Sequence, residues 1–285
     1  MSISVIVLTY NEGRNIAECL TSVLPLKADI YIVDSGSSDQ TLEIAASFGC
    51  KVFHHPFVNY ADQRNWAMQN LPLTSEWVLH LDADHRLTPG LVAEIQQVFS
   101  KGVEEDINGF LVSRRTYFMG KWIRWGGHYP AYHSILFRRG SGYCEEKSYD
   151  QHFKVSGKLV KLRNDVVDIL TESLHVFIER HNIWARLESE ALFAGGQDQG
   201  RIIKGRLAGN PIEKRRMLKN IYEKFPLFLR PIIYFTLRYF LRLGFLDGRR
   251  GLVFHFLQGF WFRFLVDAKV YELRLKNKSN VQKSI

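Results

Sequence analysis

Short apolar runs alternate with helix-period stretches through the first hundred residues. Residues 3–9 read as a strand, 14–24 as a helix, 30–34 as a second strand and 39–48 as a second helix. A short strand over 51–53, a helix over 61–71, a strand over 77–81 and a helix over 89–99 follow, the last with Thr88 as its N-cap. The strands read as buried on both faces. Strands of that kind separated by helices predict a parallel sheet in an α/β layer architecture.

Beyond Asn108 the pattern changes. Up to about Val176 the apolar runs are shorter and rich in aromatics and glycines, which predicts added strands and loops building a second substrate's site. Residues 178–194 return to helical period, stopped by Gly195-Gly196. Residues 211–224 predict a basic helix. Two strongly apolar stretches, 225–243 and 251–266, follow on either side of Gly244-Phe245-Leu246-Asp247-Gly248. Neither offers the roughly 18 uncharged residues expected of a spanning helix. Arg230, Arg238 and Arg242 interrupt the first, and His255, Gln258 and Arg263 the second. Aromatics with interspersed arginines suit helices lying in the headgroup plane of a membrane. The competing reading is a helical hairpin packed on the rest of the chain or on a second subunit.

Composition sharpens this division. The 285 residues are 46% hydrophobic, which argues for a packed core and against disorder. The formal charge of +9 is unevenly spread. Residues 201–285 carry 19 Lys and Arg against 5 Asp and Glu, whereas residues 1–200 carry 19 against 24. The last third is therefore a basic surface wanting an anionic partner. Cys19, Cys50 and Cys144 form no CxxC pair, so a reducing compartment is expected. The apolar run at 3–8 is too short for a signal-peptide core and no basic residue precedes it. The expected location of the first two thirds is the cytoplasm.

The chemistry sits at the predicted strand ends. Asp82-Ala83-Asp84 follows directly on the strand at 77–81. On extended backbone the i, i+2 spacing puts both carboxylates on one side of the chain. At the carboxyl end of a parallel strand they enter the crevice where open α/β sheets bind ligands. Two oxygen donors with no nearby cysteine suit a hard cation, Mg²⁺ or Mn²⁺. Such a triplet also arises by chance as a solvated turn; the buried strand before it gives it weight. Asp34 ends the second strand, where a carboxylate can accept a hydrogen bond from a base or ribose, and Asp39 suits an N-cap for the next helix. Thr9-Tyr10-Asn11-Glu12 ends the first. Three strands thus deliver polar groups to one edge.

Thr9-Tyr10-Asn11-Glu12, Val33-Asp34-Ser35-Gly36-Ser37-Ser38-Asp39-Gln40-Thr41 and Asp82-Ala83-Asp84 resemble, in order and spacing, the family 2 glycosyltransferases of the GT-A fold. The resemblance is close over roughly residues 3–100, and strongest to bacterial members acting in lipopolysaccharide-core and other cell-surface glycan assembly. It implies a Rossmann-like GT-A domain with a mostly parallel central sheet over residues 1–200. Residues 1–100 would bind the nucleotide-sugar and 101–200 the acceptor; the apolar pattern and charge of 201–285 make it a basic amphipathic helical membrane-association region. The implied activity is metal-dependent, inverting transfer of a hexosyl-type sugar from a nucleotide-sugar, usually a UDP-sugar. The acceptor would be a glycolipid or cell-surface polysaccharide, met at the inner face of the cell membrane. By the same resemblance Thr9, Tyr10 and Glu12 would line the nucleotide pocket and Asp34 would meet the uracil. Gln63, Arg64 and Asn65 would contact nucleotide or diphosphate, though Arg64 also reads as a plain surface helix residue. Asp82 would face ribose and metal, and Asp84 would ligate the metal.

Inversion also needs a base for the acceptor hydroxyl, which similar enzymes place beyond the DxD, often in a Glu-Asp pair. Here that region reads Cys144-Glu145-Glu146-Lys147-Ser148-Tyr149-Asp150-Gln151-His152-Phe153. Asp150 is favoured, with Glu145 and Glu146 as rivals and a solvated loop as the alternative for all three. His175 stands where several GT-A enzymes place a histidine near the metal or diphosphate; a structural histidine is the alternative. His181 and Trp184 are neighbours on one helix face. Trp122, Arg124, Trp125, His128 and Tyr129 suit stacking on sugar rings or a packed lid.

Two other functions compete. A polyprenyl-phosphate sugar transferase would suit the basic region but often carries spanning helices. A non-catalytic anionic-membrane or nucleic-acid binding module would use the basic tail and leave the acidic strand ends unexplained.

Overall fold

The chain opens with β1 (Ile3–Thr9), α1 (Ile16–Val23), β2 (Asp29–Asp34), α2 (Thr41–Ser47), β3 (Lys51–His54), α3 (Tyr60–Asn70) and β4 (Trp77–Asp82) in the computed structural model. Then come β5 (His85–Leu87), α4 (Pro89–Lys101), β6 (Ile107–Phe118), β7 (Lys121–Trp122), β8 (Ala131–Arg138), β9 (Gly142–Cys144), β10 (Phe153–Val155) and β11 (Lys158–Thr171). Helices α5 (Leu174–Phe193), α6 (Pro211–Glu223), α7 (Leu229–Thr236), α8 (Gly248–Phe254) and α9 (Phe262–Lys283) complete it. The structure describes residues 2–147, 150–171, 173–195 and 203–283. Tyr149, Gly196 and the expected domain boundary at 200 lie outside them.

Two compact units result. One comprises Met1–Arg115, Ala131–Glu146 and Gln151–Ile169; the other comprises Thr116–Pro130, Lys147–Asp150 and Leu170–Ile285.

In the first unit four strands pair in parallel, β3-β2-β1-β4; β1, β2 and β4 are buried apolar runs, and β3 is a mostly exposed strand at the edge. Parallel pairing stops there. β8 joins β4 antiparallel, β6 joins β8 antiparallel, and the order continues through β11 to β5. The shift to shorter, aromatic-rich runs after Asn108 is the sequence counterpart of that change. β4 divides its side chains by the two-residue period of a strand. Trp77, Leu79 and Leu81 join a core with Ile16, Leu20 and Leu91 from α1 and α4. Val78 joins Ala61, Ala67 and Phe153 on the opposite face, which is therefore the face of His80 and Asp82. Thr88 caps α4 through Leu91 N–H at 3.2 Å, with Pro89 in the first turn. All three cysteines are free.

In the second unit, α5 packs on α9 through Ala185, Phe262 and Val266, and a further cluster joins Phe118, Ile123, Phe177 and Phe254. Asn210 and Glu213 close a capping box at the start of α6. Helical π turns over Leu237–Leu241 and His255–Trp261 continue α7 and α8. Arg230 and Arg238, expected among headgroups, are instead buried and bonded inside the unit. Arg230 pairs with Asp267, and Arg238 donates to Gly126 O at 2.8 Å and Gln258 Oε1 at 3.0 Å. An arginine on a short helical arm reaches inward where a carboxylate or carbonyl can receive it, a partner the linear sequence does not reveal. No helix among the described residues is long and apolar enough to cross a membrane.

Candidate active site

Register brings three strand ends level. Thr9 lies opposite Asp34, and Leu8 opposite Asp82. The ladder continues past the strands, with Ser35 N–H on Thr9 O and Ala83 N–H on Leu8 O. The two polar loops are then zipped together by side chains. Asn11 N–H donates to Ser37 Oγ (2.8 Å), Ser38 N–H to Asn11 Oδ1 (2.8 Å), Glu12 N–H to Thr41 Oγ1 (2.8 Å) and Gly13 N–H to Asp39 Oδ2 (3.0 Å). Asn11 adopts φ 52°, a left-handed conformation asparagine tolerates, and Gly36 takes φ 100° to turn the chain beneath it. The spacing of these motifs is thus a structural requirement: each polar residue in one loop satisfies a backbone amide of the other.

Asp34 is buried and largely spent on its own turn. It accepts from Gly36 N–H, Ser37 N–H and Ser37 Oγ–H. Asp39 accepts from Thr41 and stands one residue before the N-cap, Gln40. Thr9 is buried with no partner for its hydroxyl among the described residues, and Tyr10 is exposed. Glu12 receives Asn15 Nδ2 at 2.8 Å.

At the next strand end, Asp82, Asp84 and His85 form a cluster with one donor atom from each within 4.8 Å of the others. Asp84 lies in the turn between β4 and β5, and its carbonyl accepts from Ile169 N–H of β11. β5 pairs with β11 so that His85 lies opposite Asp168. The turn between two anchored strands is what converges the carboxylates. Arg64 of α3 donates to both oxygens of Asp82 at 3.1 Å. Burial opposes charge on Asp82, but the Arg64 guanidinium and His85 outweigh it and hold the carboxyl down at about 2. Burial pushes the His85 pKa down, against the pull of Asp82 and Asp168. Asp82 N–H lies 3.3 Å from His85 Nδ1, leaving the ring proton on Nε2, which is 3.9 Å from both carboxylates. In that tautomer the two carboxylates are the groups that could hold a cation; His85 could join them if the proton moved to Nδ1. Behind them His80 is buried against Phe137 and Phe153, and burial lowers its pKa to about 3.

Residues 4–156 of the chain match the family described as Glycosyl transferase family 2. The chain belongs to that family. This glycosyltransferase is 26% identical to the lipopolysaccharide core biosynthesis glycosyltransferase LpsC of Rhizobium meliloti, over 100% of its own length and 98% of the relative's. An uncharacterized glycosyltransferase of Rickettsia conorii is 36% identical over 34% of each chain, so the closely aligned stretch spans about a third of that relative. The mannosyltransferase PcManGT from Pyrobaculum calidifontis, solved in complex with GDP-Man and Mn²⁺, superposes with a TM-score of 0.51 at 16% identity. That match covers 96% of this chain and 86% of the other, and it concerns the fold. The chain therefore has the GT-A fold that the strand-end motifs implied.

The other residues expected in the site fall into distinct places. Gln63 is buried, donating to Ser35 Oγ and His55 O, and so ties α3 to the loop after β2. Asn65 exchanges hydrogen bonds with Cys144 N–H and O, a brace between α3 and β9. Arg64, with a surface role as its alternative, is the one of the three that reaches a carboxylate of the cluster. Asp150 belongs to the second unit, where its Oδ2 lies 3.5 Å from Arg216 and 3.4 Å from Lys219. Glu145 is buried and accepts from His152 N–H, while Glu146 is exposed. His175, expected near the metal or diphosphate, belongs to the second unit. It lies in the first turn of α5, is exposed, and faces Glu179 at 3.4 Å. The histidine beside the carboxylates is His85, whose only sequence signal is that it directly follows the acidic triplet. Arg114 and Asp168, paired at 3.3 Å, were equally silent, because antiparallel pairing of distant strands sets their positions.

The Arg64–Asp82 pair predicts a pH effect on stability. The folded Asp82 pKa lies below the unfolded value of about 3.9, so the pair's contribution is complete above that value and is lost as pH falls toward 2. Urea denaturation should show the stability gap between the protein and Arg64→Met shrinking from pH 5 to the lowest pH at which both fold. An unchanged gap would contradict the assignment.

Proposed function

We propose that this glycosyltransferase transfers a sugar, with inversion, from a nucleotide-sugar to a glycolipid or cell-surface polysaccharide acceptor at the inner face of the cell membrane. The observation that carries the donor reading is the convergence of three strand ends at one sheet edge, Thr9 opposite Asp34 and Asp82 opposite Leu8, with Asp84 in the adjoining turn. The full-length similarity to LpsC supports a lipopolysaccharide-core acceptor. A UDP-sugar is the expected donor; the GDP-Man bound by PcManGT makes a GDP-sugar the comparison to run.

Asp82 and Asp84 fit Mg²⁺ or Mn²⁺: two hard oxygen donors with a histidine beside them, while the Cys19 thiol nearby is turned to the Asp82 carbonyl at 3.8 Å. A bound divalent ion would supply Lewis-acid stabilisation of the departing diphosphate. Arg64 keeps Asp82 ionised and oriented. Thr9, with its buried hydroxyl, and Tyr10 and Glu12 on the adjoining loop, offer hydrogen bonds and an exposed ring to the nucleoside.

Asp150 is assigned as the base, with Glu145 and Glu146 as the comparison pair. Arg216 and Lys219 fix the Asp150 carboxylate in place, whereas Glu145 is committed to its own hairpin. Asp150→Asn should lower transfer by roughly 10²–10⁴ and leave donor affinity by calorimetry nearly unchanged. Full activity in this variant would remove Asp150 from the mechanism.

Thermal stabilisation by a panel of UDP- and GDP-sugars, with and without Mn²⁺, tests the donor, since a bound ligand raises stability by mass action. Metal-dependent stabilisation by one nucleotide series supports the proposal. No stabilisation by any nucleotide-sugar at saturating metal would sink it.

A further inference from the structure

Two arms of the second unit bury several of their charges and turn hydrocarbon outward. From Leu229 to Leu241, Arg230 and Arg238 are 4% and 5% exposed, while Ile232, Ile233, Leu237, Phe240 and Leu241 are 38–74% exposed. The spacing 229, 232, 233, 237, 240, 241 traces one face of a helix. That face is apolar, and it points away from the core. The second arm repeats the inversion. Asp247, His255 and Asp267 are buried, whereas Leu252, Phe256 and Phe264, spaced by multiples of four, are exposed.

The two stripes are one surface. Phe235 of the first arm lies 6.3 Å from Phe256 and 6.2 Å from Phe260 of the second, and Phe228 lies 5.3 Å from Phe264. Leu243, Phe245 and Leu246, all exposed, extend it through the connection. Water is a poor solvent for a continuous face of this kind, which marks a docking surface.

Charge identifies the occupant. Arg242, Arg249 and Arg250 are exposed beside the apolar connection, in a region holding 19 basic against 5 acidic residues. A second copy docking on the same face would bring like-charged clusters together. An anionic lipid surface meets both features, with acyl chains for the stripes and phosphates for the arginines. No described helix suits crossing, so entry would be into one leaflet.

We infer that the face formed by Leu229–Leu241 and 252–264 inserts into the acyl region of one leaflet of an anionic bilayer, with Arg242, Arg249 and Arg250 at its headgroups. This deepens the membrane reading of the proposed function, but its test does not depend on sugar transfer. It also differs from attachment by arginines alone, since Arg230 and Arg238 are committed to internal partners.

The test uses the full chain with a single tryptophan reporter, Leu241→Trp or Phe256→Trp, on vesicles of phosphatidylcholine containing a minority of phosphatidylglycerol. Lipids brominated on their acyl chains should quench either reporter beyond the level of the parent protein, and binding should persist in part at high salt. Leu241→Glu and, on the other arm, Leu252→Glu should each lower vesicle partitioning by about tenfold or more, with circular dichroism confirming the fold. Vesicle binding without quenching, abolished by salt, would overturn insertion. So would absence of binding together with a concentration-dependent dimer that the glutamates dissociate. Transfer to a soluble acceptor, measured in parallel, reports separately on the catalytic proposal.

Discussion

Asp84→Asn is expected to lower sugar transfer by roughly 10²–10³ or more, because the loss of one anionic donor removes about 3–4 kcal/mol of charge stabilisation at the departing diphosphate. The substitution keeps the shape and removes the charge, so its effect on folding is distinguishable from its effect on chemistry. Asp82 and Asp84 are like charges in one cluster, partly relieved by Arg64 on the Asp82 side. In the absence of metal the variant should therefore melt at or slightly above the parent temperature. With Mn²⁺ added, the parent should gain stability through binding to the folded state, and the variant should gain much less. Calorimetric unfolding with and without Mn²⁺, beside a transfer assay, checks both halves. A variant that is inactive yet stabilised by Mn²⁺ like the parent would place the metal elsewhere.

Asp267→Ala is expected to cost about 3–5 kcal/mol, the usual penalty for stranding one member of a buried ion pair. Asp267 is fully buried on α9 and accepts from Arg230 Nε (2.7 Å) and Nη2, and from Phe228 N–H (2.7 Å). Arg230 also donates to Glu223 O at 3.1 Å and lies over the Tyr222 ring. One carboxylate thus joins α9 to the start of α7 and, through the arginine, to the end of α6. The alanine leaves a buried guanidinium and an orphaned amide, and the melting temperature of the second unit should fall by roughly 10 °C or more. Arg230→Met with Asp267→Leu should recover most of the loss, because hydrocarbon of similar volume replaces both charges. A single variant melting within about 2 °C of the parent would show that the pair contributes little.

The two predictions sit on opposite sides of what a linear reading reaches. The Asp84 cluster grows from motifs in which strand, turn and polar residue are adjacent in the chain. Its fold was legible for the same reason: β1 and β4 are uninterrupted apolar runs, and α4 carries its own cap in Thr88-Pro89. The Arg230–Asp267 pair joins residues 37 apart, and nothing in either neighbourhood names the other. His85 falls between these cases. It is adjacent to the acidic triplet, yet only β5 pairing with β11 turns it toward the carboxylates. Gln63 and Asn65, expected at the nucleotide, have amides that donate to His55 O and Cys144 O, contacts that only the fold could reveal.

From the sequence alone come the parallel half of the sheet, the family, the two carboxylates and the basic last third, because each is written in local pattern or composition. Tertiary structure decided which histidine stands with the carboxylates, how the loops after β1 and β2 are locked, and which way the last helices face. Helical period shows that an apolar stripe exists. Its direction is set by where the buried charges find partners, and those partners lie on distant segments.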